Sequence, residues 1–162
     1  MLITIATRGR VRFGPGAIAL RPELIQVAPG ALLVLEAGAV LNRGARVIVR
    51  DGALTIGAGA YVGPHVTVVA YTDVTIGPRV LIGERVSIHS EDHGPVGNRD
   101  LFCVDRIEIG ADAWICAGAV LSKGAVIGAG TTVGANSFVR GELPAGVLAV
   151  GAPAVVVRSL TS

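Results

Sequence analysis

The stretch that decides the fold is Ile107-Glu108-Ile109-Gly110-Ala111-Asp112-Ala113-Trp114-Ile115-Cys116-Ala117-Gly118-Ala119-Val120-Leu121-Ser122-Lys123-Gly124-Ala125-Val126-Ile127-Gly128-Ala129-Gly130-Thr131-Thr132-Val133-Gly134-Ala135-Asn136-Ser137-Phe138-Val139. Ile109, Ile115, Leu121, Ile127, Val133 and Val139 are each six residues apart. Two residues before them stand Ile107, Ala113, Ala119, Ala125, Thr131 and Ser137, of which all but Ile107 are small. No helix or simple hairpin repeats every six residues, so the pattern is that of a parallel β-helix built from hexapeptides.

The same beat runs upstream in triplets: Leu35, Leu41 and Val47; Ile56, Val62 and Val68; Ile76, Ile82 and Ile88. Including the quoted stretch, the steps between triplets are 9, 8, 21 and 6. Three hexapeptides make a plain turn of 18 residues, as from Ile109 to Ile127. Every surplus residue then falls at one corner, and a single excursion over about 89–108 adds 15 residues between Ile88 and Ile109. That excursion holds two of the three histidines, His89 and His93. A coil that breaks its period once marks a functional segment. The expected fold is all-β, with one extruded loop and a short C-terminal segment.

The chain of 162 residues is expected to form one domain. Residues 1–30 read as one or two degenerate turns capping the coil, 31–140 as the regular coil, and 141–162 as the C-terminal segment, with Ala154 to Leu160 a last strand or helix. An aromatic content of 4% against 51% hydrophobic residues suits a narrow interior of stacked aliphatic side chains. Gly52 to Thr72 lacks charge and resembles a membrane span in length. It keeps the six-residue step and is broken by Pro64 and His65, so no span is expected. Thirteen arginines, one lysine and a net charge of +2 make no polybasic tail, and nucleic acid is not implied. Arginine does suit phosphate wherever one reaches a site. Cys103 and Cys116 form no disulfide framework and read as free thiols of a cytoplasmic protein. Gly128-Ala129-Gly130 fails as a dinucleotide fingerprint because its glycines fall on the repeat.

A hydroxyl that attacks a thioester must lose a proton, and histidine suits that task near neutral pH. His93 is the candidate base, with Glu91 or Asp92 as the orienting carboxylate. The alternative for His93 is a solvent-exposed loop histidine. His89 reads as a surface polar residue that shapes the loop, and His65 as an exposed edge residue.

Three segments now carry a resemblance: Asp112 to Val120, Lys123 to Gly130, and Val150-Gly151-Ala152-Pro153-Ala154. With the excursion Ser87 to Val96, they closely resemble the left-handed β-helix acyltransferases, in the branch of the maltose, galactoside and polysaccharide O-acetyltransferases. The resemblance covers roughly residues 50–158. It implies a left-handed coil, although parallel crossovers are right-handed in about 98% of cases. It further implies homotrimers with active sites between subunits, and acetyl transfer from acetyl-coenzyme A to a hydroxyl of a sugar, glycan or other small acceptor, with no metal. By position, His93 matches the base, Trp114 and Ala117 the wall along the pantetheine arm, and Ala135 a backbone contact to it. Arg140 lies near the pyrophosphate and Arg158 near the adenosine 3′-phosphate. His65, Asn98, Arg99 and Phe102 are candidates for the acceptor side. The chain departs from the sugar acetyltransferases in lacking their helical N-terminal segment, and has Gly141 where relatives often place a lysine.

Two competing readings use the same coil. Three histidines, His65, His89 and His93, with a water would satisfy catalytic zinc as in a γ-class carbonic anhydrase. That enzyme keeps its paired histidines in the coil, and the Trp114 segment fits the transferases better. A non-enzymatic β-helical scaffold would need no histidine-bearing excursion.

Overall fold

The computed structural model describes residues 4–7, 10–94, 98 and 100–160. The chain winds as a three-faced coil. The first turn comprises β1 (Thr4–Thr7), β2 (Arg10–Phe13) and β3 (Ile18–Ala19). The second comprises β4 (Leu24–Val27), β5 (Leu32–Leu35) and β6 (Val40–Leu41), and the third β7 (Arg46–Val49), β8 (Ala53–Ile56) and β9 (Tyr61–Val62). The fourth holds β10 (Thr67–Ala70), β11 (Val74–Ile76) and β12 (Leu81–Ile82). In the fifth, β13 (Ser87–His89) is followed by an arm of two strands, β14 (Glu91–His93) and β15 (Phe102–Val104), before β16 (Ile107–Ile109) and β17 (Trp114–Ile115). Then come β18 (Val120–Leu121), β19 (Val126–Ile127) and β20 (Thr132–Val133), and last β21 (Phe138–Val139), β22 (Glu142–Leu143) and β23 (Val147–Gly151). Strand β24 (Ala154–Ser159) folds back antiparallel on β23. The fold is a left-handed parallel β-helix, and among the described residues no helix is long and apolar enough to cross a membrane.

Each face is a parallel sheet, seven strands on the first and second faces, and eight on the third because β24 joins it. The ladders are the hexapeptide beat made physical. On the first face Val47, Val68, Ile88, Leu121 and Val139 are successive register partners. On the second, Leu35, Ile56, Ile76, Ile109 and Ile127 stack, and on the third Leu41, Val62, Ile82, Ile115 and Val133. All are buried. Strands neighbour one another at about 4.8 Å, so each aliphatic group packs on its equivalent. The small residues Ala113, Ala119 and Ala125 are also fully buried, filling the corners of the prism. The two hydroxylic members of that series do more. Thr131 Oγ1 donates to the Pro144 carbonyl (2.5 Å) and accepts from Val147 N–H, and Ser137 Oγ accepts from Gly151 N–H. They tie the C-terminal segment to the open end of the coil.

Surplus residues collect where the first face turns into the second. Arg50-Asp51-Gly52 and Tyr71-Thr72-Asp73 lie there, and so does the arm. The arm is shorter than the 89–108 excursion read from the sequence, because His89 still belongs to β13, and β16 begins at Ile107. Residues before 31 also pair into the ladders, Leu24 with Arg46 and Leu32 with Arg10. Wide corners hide their spacing without altering the register.

Corners favour glycine because they need positive φ, yet Arg21, His65, Arg79, Arg85, Asp112 and Asn136 adopt it too. A hydrogen bond to the previous turn fixes these corners, for example Asp112 N–H to the Pro78 carbonyl (3.0 Å). Arg79 and Asp112 then stack one turn apart in a bidentate pair, Nε–Oδ1 and Nη2–Oδ2 both 2.7 Å. The hydrogen bond from Arg79 holds the Asp112 carboxyl below its ordinary range, so the pair stabilises the fold above that range and the contribution is lost as pH falls through it. Both partners are solvated, so the effect is small. Asp112→Asn, which tolerates the same backbone conformation, is expected to lower the melting temperature slightly at pH 7. Melts repeated near pH 3 are expected to show that difference shrinking.

Candidate active site at the base of the arm

The arm is anchored by one residue, Ser90, which is fully buried. Its N–H donates to the Val69 carbonyl, its carbonyl accepts from Asp105 N–H (3.0 Å), and its hydroxyl accepts from Tyr71 N–H (2.8 Å). Both ends of the arm are thereby pinned to the coil. Beyond Ser90 the antiparallel pair β14–β15 sets Glu91 opposite Val104, Asp92 opposite Cys103 and His93 opposite Phe102. Side chains alternate along a strand, so Glu91 and His93 share one side and Asp92 takes the other.

An open cleft of about 330 Å³ lies between the arm and the first face, lined by His89, Glu91, Asp92, His93, Phe102, Val120, Leu121, Ser122 and Phe138. The His93 ring meets Phe102 edge-on, with centroids 5.0 Å apart at 74°. Phe102 in turn lies tilted against Tyr71, with centroids 5.0 Å apart at 39°, and Tyr71 is the residue whose backbone Ser90 holds. A continuous set of contacts thus links the buried anchor to the exposed imidazole.

The carboxylates divide between partners. Asp92 Oδ1 accepts from the backbone N–H of His93 (2.8 Å). Glu91 Oε1 lies 3.2 Å from His89 Nδ1, and His89 Nε2 lies 2.9 Å from Ser87 Oγ. The second Glu91 oxygen, Oε2, is buried and has no hydrogen-bond partner among the described residues. Both ring nitrogens of His89 are thus engaged in a row, Ser87-His89-Glu91. Sequence reading missed this row, and missed Ser87, Ser90, Tyr71 and Phe138. The alternation of Ser87, His89 and Glu91 at i, i+2 and i+4 was the available signal, since one face of a strand carries that spacing.

The remaining candidates lie elsewhere. Trp114 is 52% exposed on the outside of the third face, in register with Leu81 and Thr132. Ala117 and Ala135 sit on the corner between third and first faces, where the Ala117 carbonyl accepts from Asn136 N–H. Arg158, on β24, pairs with Leu148. These four residues occupy the third face and the edge beyond it, whereas the arm rises from the opposite edge of the first face. Arg140 is exposed at that second edge, just past β21. His65 stands with Ala117 and Ala135 on the third–first corner, so one chain does not gather it with His89 and His93. Asn98 is exposed on the arm, and Arg99 lies outside the described residues. Cys103 and Cys116 are both free, and burial pushes the Cys116 thiol up, as suits an inert corner residue.

Comparison with known proteins agrees with this architecture. Residues 106–141 match the family described as bacterial transferase hexapeptide (six repeats). The chain is 32% identical to a Mycobacterium tuberculosis protein named a probable acetyltransferase, over 96% of this chain and 52% of that one. It is 32% identical to a galactoside O-acetyltransferase of Lactococcus lactis, over 64% and 52%. The chain thus spans about half the length of these curated relatives. Among solved structures it is similar to a hexapeptide-repeat acetyltransferase of Vibrio cholerae complexed with acetyl-coenzyme A, with 26% identity, TM-score 0.67, and 91% and 73% of the two chains covered. A Bacillus cereus N-acyltransferase in complex with dTDP and coenzyme A shares the fold, with TM-score 0.74 at 16% identity and 91% and 83% coverage.

Removing the Ser90 hydroxyl leaves the Tyr71 N–H unsatisfied. Ser90→Ala is expected to lower stability by about 1–3 kcal/mol in denaturant unfolding, with faster amide exchange across β14 and β15. The coil that carries the arm, the matched repeats and the relatives together show that residues 106–141 carry the bacterial transferase hexapeptide repeat, in a chain similar to acetyltransferases built on that repeat.

Proposed function

We propose that the protein is an acetyl-coenzyme A-dependent O-acetyltransferase, with His93 as general base acting on a hydroxyl of a sugar, glycan or other small acceptor. The observation that carries this reading is the imidazole itself, braced edge-on by Phe102 over an open cleft at the coil's one long excursion. The Vibrio cholerae structure, which contains acetyl-coenzyme A, supports the choice of donor.

The acceptor hydroxyl enters the cleft and gives its proton to His93. The resulting alkoxide oxygen attacks the thioester carbonyl carbon. A backbone N–H along the coil edge stabilises the oxyanion. The intermediate collapses, the C–S bond breaks, and the imidazolium returns its proton to the coenzyme A thiolate. Trp114, Ala117 and Ala135 bind the pantetheine arm, and Arg140 and Arg158 bind the phosphates.

A second reading has its own observation. Glu91 bonds His89 rather than His93, in the arrangement that orients a catalytic base. His89 would then take the proton. Single variants separate the two. His93→Ala is expected to lower turnover about 10²–10⁴-fold, while coenzyme A still raises the melting temperature and still perturbs the fluorescence of Trp114, the sole tryptophan. His89→Ala is expected to cost less. The reverse order would transfer the role to His89, and retention of activity by both variants would remove the mechanism.

The active form is a homotrimer in this proposal. The arm and the Trp114 wall stand on different edges of one protomer, so packing the third face of one chain against the arm of the next would complete the cleft. Leu81 and Trp114, register neighbours on the third face, are solvent-exposed in the single chain and supply apolar surface for that contact. Light scattering after size exclusion is expected to give three times the chain mass of 16.4 kDa. A monodisperse monomer with full activity would rule the shared site out.

A further inference from the structure

We propose that the acceptor is an extended glycan with an oxyanion at one end, a carboxylate or a phosphate, and that this end docks in a second cleft on the third–first corner near the N-terminal end of the coil, while a hydroxyl farther along the glycan reaches His93. This rests on the acetyl-transfer reading and names the acceptor class for it. The cleft encloses about 410 Å³ and is lined by Leu20, Arg21, Asn42, Arg43, Tyr61 and Pro64. That volume lies within the range of small-molecule sites.

Two guanidiniums define its chemistry. Arg21 and Arg43 occupy equivalent places on successive turns, about 4.8 Å apart along the coil. The backbone fixes both, because the Arg21 carbonyl accepts from Gly44 N–H (3.1 Å) and the Arg43 carbonyl from His65 N–H (3.0 Å). Neither makes an ion pair among the described residues. The nearby carboxylates are already committed, Glu23 to Arg46 at 2.6 Å and Glu84 to Arg85 at 2.7 Å. Like charges one ladder step apart destabilise a sheet edge unless something neutralises them. A bound oxyanion does so, and the guanidinium fork matches it geometrically.

The rest of the wall suits a sugar ring. Tyr61 is 38% exposed, and its hydroxyl accepts from Asn42 Nδ2 at 2.6 Å, which holds the ring in place. An exposed aromatic face with a fixed polar tip packs against a body that is part apolar and part hydroxylic. The next residue up the corner is His65, whose ring lies over Gly44, where a Cβ would collide with it. The same corner continues to Ala117 and Ala135, the residues proposed to carry pantetheine. The anion would therefore be held on the edge that presents the thioester, three or four turns below it, roughly 14–19 Å at strand spacing, a span that an extended glycan covers.

Saturation-transfer NMR without acetyl-coenzyme A tests this, using glucuronic acid, glucose 1-phosphate and glucose as probes. At least one acid is expected to bind while glucose does not, with binding that weakens as salt rises. The acid that binds more tightly identifies the anion as carboxylate or phosphate. Arg21→Gln and Arg43→Gln are each expected to weaken that binding at least about tenfold, the effect of one lost charge-assisted hydrogen bond. Equal binding of glucose, binding by neither acid, or binding undiminished in both variants would overturn the proposal. Failure of the acetyl-transfer reading shows separately, as no thermal shift with coenzyme A, a measurement that does not involve this cleft. Each variant is to retain the wild-type circular dichroism, and Arg50→Gln, at another corner, serves as the charge control.

Discussion

Parallel stacking of identical positions, turn upon turn, is the constraint on which the structure depends. Each aliphatic side chain meets its own equivalent at strand spacing, so one residue type in one place is repeated as a column. The core needs no aromatic group because the prism is too narrow for one. The columns also fix every corner. A residue at positive φ in one turn donates to the turn below, and the ladder holds Arg79 and Asp112 in a conformation that neither prefers alone. Surplus residues can be absorbed only at corners, since anywhere else they would shift the register and turn the buried set outward.

The arm exploits that tolerance. It leaves the coil where the ladder is already interrupted, and it costs the core nothing because Ile88 and Ile107 bury themselves on either side. A projecting hairpin has little to hold it, so its order comes from the buried Ser90 and its three hydrogen bonds. The contact from Tyr71 through Phe102 to His93 carries that rigidity outward to the ring. An imidazole in solvent is thereby supported by a buried hydroxyl.

The outer surface divides along the edges of the coil. The edge bearing the arm supplies titratable groups. The third face and its other edge supply an exposed tryptophan, small corner residues and, lower down, two arginines without carboxylate partners among the described residues. Neither edge alone holds the full set of candidate groups. The strictly periodic interior leaves the outward positions free to vary, which is how one coil carries two different edges.

The sequence by itself determined the coil. The six-residue step, the triplets Leu35-Leu41-Val47 through Ile127-Val133-Val139 and the single break after Ile88 required three faces, because a one-dimensional period maps directly onto a stacked structure. It also marked His93 as the chemically distinctive residue of the break. Only the tertiary structure decided the rest. That Glu91 serves His89, that Ser90 is buried, and that Thr131 and Ser137 clasp the C-terminal segment depend on where side chains point once a corner has turned. Corner geometry is set by hydrogen bonds between residues about twenty positions apart. Such contacts leave no local period, and the irregular turns before residue 31 were obscured for the same reason.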